Sequence, residues 1–143
     1  MRRILLIILS IVVLSGCNKD SSLSVSEVSQ KNISKDIQSF FQEVKEENGV
    51  YLYFDEQKSN VFVYLNGSNV SQDDMAVHFT GFDVEKENET LNLLYKSEET
   101  SDYSNPSFEN ELFYKVNLAD DYDVVKVFNN GNETIFNTIS GNN

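Results

Sequence analysis

Val50-Tyr51-Leu52-Tyr53-Phe54 and, beyond the polar turn of residues 55–60, Val61-Phe62-Val63-Tyr64-Leu65 decide how this 143-residue chain folds. In the first segment Val50, Leu52 and Phe54 share one side and Tyr51 and Tyr53 the other, a period of two that belongs to a strand. The second is apolar on both sides, the pattern of a central strand covered on both faces. Two such strands joined by a short polar turn form a hairpin, and the rest of the chain has to cover its two faces.

Upstream, Ile33, Ile37, Phe40, Phe41 and Val44 recur at helical spacing, with Lys35, Gln38, Gln42, Lys45 and Glu46 on the opposite side. Asn32 or Ser34 suits the N-cap, and Asn48-Gly49 ends the helix with a glycine placed for a left-handed conformation. The apolar face of this helix is expected to cover a sheet. Downstream the alternation returns in Met75–Glu85 (interrupted at Gly81), Thr90–Tyr95, Glu111–Leu118, Val124–Phe128 and Thr134–Ile139. Asn129-Asn130-Gly131-Asn132 is the strongest hairpin signal, since Asn-Gly supplies the positive φ of a type I′ turn. The polar segment Ser97–Glu109, with the single proline Pro106, is the longest loop. The fold class is α+β, mostly antiparallel β: one N-terminal amphipathic helix packed on a meander of about seven strands, as a single curved sheet, a small sandwich or a barrel. This strand series with its late hairpin resembles calycin-type barrels and the protease-complementing lipoprotein-type β domains; no site residue follows from either resemblance.

The start of the chain has a different character. Arg2 and Arg3 precede an apolar run, Ile4 to Val13, which ends in Leu14-Ser15-Gly16-Cys17. A run this short falls below the roughly 20 residues of a membrane span and has the layout of a secretory signal. Leu14-Ser15-Gly16-Cys17 resembles the lipobox of bacterial lipoproteins. The resemblance implies cleavage before Cys17 and lipid attachment to its sulfur, with the bilayer as partner. The expected organisation is a signal peptide over 1–16, a lipidated Cys17 with a serine-rich flexible tether over 17–31, and one β-rich domain over 32–140. Loss of the two arginines leaves nine lysines against 23 acids, a charge of −14. Such a surface excludes nucleic acid and electrostatic adhesion to anionic lipid. The asparagine-rich, tryptophan-free composition associates with an AT-rich genome, hence with the outer face of a Gram-positive cytoplasmic membrane.

Residues for chemistry are few. Cys17, the sole cysteine, is taken by the anchor, so no disulfide and no zinc site is expected. His78, the sole histidine, alternates with Val77 and Phe79 and is expected to face solvent on a strand. Asp120, Asp121 and Asp123 offer oxygens for at most a weak calcium site. No cofactor is expected. Tyr51, Tyr53 and Tyr64 share a face and form an interaction patch unless a second layer covers them. These observations favour a non-catalytic, membrane-anchored, extracytoplasmic lipoprotein that binds or modulates an envelope protein. Capture of a small apolar ligand in a calycin-like lumen is the alternative, and a hydrolase using His78 or paired acids is the third.

Overall fold

The computed structural model describes residues 22–142. In chain order these form strand β1 (Ser24–Glu27), helix α1 (Lys35–Val44), β2 (Gly49–Asp55), β3 (Asn60–Asn66), β4 (Ala76–Glu87), β5 (Thr90–Thr100), β6 (Glu111–Asn117), β7 (Val124–Asn129), β8 (Asn132–Thr134) and β9 (Thr138–Asn142). They make two mixed sheets, one ordered β1-β6-β3-β2-β9 and the other β4-β5-β7-β8. The result is a two-sheet sandwich with α1 on the outer face of the larger sheet.

β3 lies at the centre of its sheet and all seven of its residues are buried, as an apolar pattern on both sides requires. Its partner β2 runs antiparallel, with Tyr51 opposite Tyr64 and Tyr53 opposite Phe62 on one face. Leu52 opposite Val63 and Val50 opposite Leu65 occupy the other face. The aliphatic face packs on Phe79, Leu91, Leu93 and Val127 of the second sheet. The aromatic face takes Ile37, Phe40 and Phe41 of α1. The helix therefore covers the sheet on its tyrosine face, and the second sheet takes the aliphatic face. Flat rows of valine and leucine suit sheet-on-sheet packing, whereas the rings of Phe40 and Phe41 meet tyrosine and phenylalanine rings at tilted and edge-on angles.

Nine strands replace the expected seven. One addition is β1, paired antiparallel with β6, in a stretch expected to be a flexible tether. Leu23 and Val25 pack on the inter-sheet core, so the globular part starts near Leu23 rather than Asn32. The other addition comes from Thr134–Ile139, which is broken at Ile135–Asn137 and divided between the two sheets. The expected antiparallel meander is also corrected: β9 runs parallel to β2, and β7 parallel to β5. Their connections pass through the opposite sheet, so neither parallel pair needs a helical crossover. The type I′ hairpin is present at β7–β8, with Asn130 at φ 51° and Gly131 at φ 83°.

Gly49 is not a left-handed helix terminator. Its φ is 157°, and a Cβ there would fall 2.1 Å from Asn137 Oδ1. That close approach lets the Val50 amide donate to Asn137 Oδ1 and the Asn137 amide donate to the Val50 carbonyl, each at 2.9 Å. The helix end is held instead by buried Asn66, whose amide nitrogen donates to the Lys45 and Glu47 carbonyls, both at 2.8 Å. Carbonyls that a helix C-terminus leaves without partners are satisfied in this way.

Candidate functional site

The strand register puts Ser24, Asn117, Asn60, Asp55 and Asn142 in one row across all five strands of the larger sheet. At this end of the sandwich the two sheets part. β2 closes and β3 begins here, β5 and β7 start opposite, and the Leu118–Asp123 connection arches between them. The space between is a cleft of about 860 Å³, within the range of small-molecule sites. Phe54, Leu91, Leu118 and Val125 give it an apolar floor, and Glu56, Asp120 and Asp121 stand at its rim.

Tyr122 forms one wall. Its hydroxyl is buried and has no hydrogen-bond partner among the described residues. Burial raises its pKa, the Lys86 ammonium opposes that shift, and Asp120 adds to it, so the phenol stays protonated and able to donate. The Lys86 ammonium sits 5.9 Å from the Tyr122 ring centre and donates to the Asp120 carboxylate. That contact, larger than its opposing desolvation, raises the Lys86 pKa.

The structure brings Tyr51, Tyr53 and Tyr64 together and buries them beneath α1; a second layer covers them, so the possible interaction patch is not on the surface. Tyr64 stacks on Phe113 at 4.3 Å and its hydroxyl donates to Glu111 Oε1 at 2.6 Å. The Tyr51 hydroxyl donates to the Glu47 carbonyl at 2.9 Å. Burial is the first cause that raises the pKa of all three. His78 is also buried rather than solvent-facing: it stacks on Phe108 at 4.1 Å and its Nε2 lies 3.5 Å from Glu98. β5 runs on to Thr100, so the loop expected over Ser97–Glu109 is shortened to residues 101–110; it supplies Phe108, which a reading of the strand alone could not include.

Asp120, Asp121 and Asp123 lie in the connection from β6 to β7. Asp120 is engaged by Lys86, and no group of three or more His, Cys, Asp or Glu residues placed to hold a metal ion occurs among the described residues. Cys17 lies outside the described residues. Sequence reasoning missed the cleft because its walls come from three distant stretches, residues 54–60, Leu91 and residues 118–125. The available signal was the apolar pair Leu118 and Tyr122 flanking an acidic turn. No helix among the described residues is long and apolar enough to cross a membrane.

Residues 1–18 match the family described as prokaryotic membrane lipoprotein lipid attachment site. No curated protein and no solved structure matches the chain.

Proposed function

We propose that this bacterial lipoprotein, with its lipobox at Leu14-Ser15-Gly16-Cys17, is a non-catalytic binding domain held on the outer face of the cytoplasmic membrane, and that its ligand enters the end cleft. The observation that carries this reading is the cleft itself: an apolar floor, an acidic rim and a buried tyrosine hydroxyl without a partner among the described residues. An apolar pocket with a few convergent polar groups is the usual form of a small-molecule site. The absence of catalysis in this reading is supported by His78. It is packed in an aromatic stack that lines a separate pocket of about 270 Å³, with no residue in common with the cleft.

Native mass spectrometry of the acylated protein, released gently from membranes, tests this reading. The expected result is a non-covalent mass increment that disappears on denaturation. A protein that is always empty, whatever the growth condition, overturns it.

Docking of an envelope protein is a second reading, favoured by the edge strand β9. Ile139 on that strand is 53% exposed, and Ile135 just before it is 78% exposed. An edge strand offers backbone groups to an added strand. Crosslinking in intact cells through a photoreactive residue at position 135 should then capture one defined protein, and an unlabelled result counts against this reading.

A further inference from the structure

We propose that the cleft takes a cationic single-chain amphiphile drawn from the bilayer that anchors the protein; this deepens, and rests on, the reading of the cleft as the ligand site. Three observations converge on it. The first is position. β1 enters the fold at Ser24, in the same strand-end row as Asp55 and Asn60, and Asn60 lines the cleft. Leu23 is already packed on the core, so six peptide steps separate it from Cys17. Fully extended they span at most about 20 Å. Sheet strands are spaced about 4.8 Å apart, so the three steps from β1 to β2 add only about 14 Å along the sheet end. The anchored end of the domain and the end bearing the cleft are one end.

The second observation is shape and polarity. The floor of Phe54, Leu91, Leu118 and Val125 suits an apolar chain, and about 860 Å³ suits one chain rather than a whole diacyl lipid. The Tyr122 hydroxyl offers a hydrogen bond at the wall.

The third is charge. Lys86 engages Asp120 at the rim, and Lys58 faces Asp55 at 3.9 Å. Glu56 and Asp121 line the cleft and have no ion-pair partner within 4 Å among the described residues. A cationic head on an apolar chain complements both the floor and these two carboxylates. Anionic amphiphiles meet repulsion at the rim and from the mature charge of −14.

The test uses the full acylated protein in phosphatidylcholine vesicles that contain either a long-chain primary amine or the matching fatty acid, each with a photoreactive diazirine in its chain. After irradiation, the amine is expected to label peptides holding Phe54 and Leu118–Val125 about tenfold more than the acid does. Glu56→Gln combined with Asp121→Asn should bring the ratio to near one; both positions are exposed, so the fold is expected to persist, as circular dichroism checks. Amine supplied in separate, protein-free vesicles should label at about a tenth of the rate. Equal cleft labelling by amine and acid overturns the cationic assignment and leaves the cleft reading standing. Equal labelling from both vesicle populations overturns delivery from the anchoring bilayer. Labelling that avoids the cleft with every probe overturns the inference and the cleft reading together.

Discussion

The larger sheet is covered twice, and the two coverings differ in how they end. Beneath α1 the aromatic layer closes on itself. Tyr51 and Tyr64 place their rings inside and spend their hydroxyls on Glu47 and Glu111, while Asn66 satisfies the helix carbonyls. Between the sheets the aliphatic layer is closed in the middle, where Leu52, Val61, Val63 and Leu93 have no exposed surface, but it opens at the strand ends into the cleft. There Tyr122 keeps a buried hydroxyl without a partner among the described residues. The same residue type thus appears once as packing with its polar tip satisfied and once with that tip available. The difference teaches that tyrosine content alone does not mark an interaction surface in this chain; what matters is whether the ring's polar end is already used.

Mutations should separate the two regions by size of effect. Phe41→Ala removes a ring that contacts Phe40, Tyr64 and Phe113 and is 1% exposed. It is expected to cost about 3–5 kcal/mol in urea unfolding. A loss below about 1 kcal/mol would show that the aromatic layer is not the structural half of the comparison. Gly49→Ala should come next, at about 2–3 kcal/mol, because its Cβ would collide with Asn137 at a backbone conformation that glycine favours. A wild-type unfolding midpoint would mean the Asn137 clamp yields at little cost.

Alkali probes the closed layer without mutation. Burial raises the pKa of Tyr51, Tyr53 and Tyr64 above the ordinary value near 10, so the folded state favours the neutral phenol. The folded pKa exceeds the unfolded one. The corresponding stabilisation is complete below about pH 10 and is lost as pH rises past that value. Ultraviolet titration should show these tyrosines ionising together with unfolding. Smooth ionisation with near-ultraviolet dichroism intact would contradict their closed packing.

The smallest stability effect is expected at the cleft. Tyr122→Phe removes a hydroxyl that has no partner among the described residues, and the midpoint should move by no more than about 0.5 kcal/mol. Binding in the cleft should weaken by about 1 kcal/mol, or roughly fivefold, if the hydroxyl meets the ligand. A large loss of stability would instead assign Tyr122 to the packed core.

Much of the closed region was legible in the sequence. The two-sided apolar pattern of Val61–Leu65 gave the central strand, the spacing of Ile37, Phe40, Phe41 and Val44 gave the helix, and Asn130-Gly131 gave the turn. The face that the helix covers was not legible, because both faces of Val50–Phe54 are apolar enough to be buried. Nor was β1, since Ser24–Glu27 holds a single apolar residue and is fixed by its pairing with β6. The split of Thr134–Ile139 depends on Asn137 reaching Gly49, 88 positions earlier. The cleft is the least local feature of all. Phe54, Leu91, Leu118 and Val125 become neighbours only when both sheets are assembled. The lipobox was read directly because its chemistry is contiguous.

Native mass spectrometry of the acylated wild type beside Leu118→Gln tests the cleft most directly. Leu118 is half-buried on the cleft wall, and glutamine keeps its length while adding polarity. The account predicts a bound mass on the wild type that is absent from the variant, with the two unfolding midpoints within about 1 kcal/mol of each other. The same bound mass on both proteins, or none on the wild type, would contradict it.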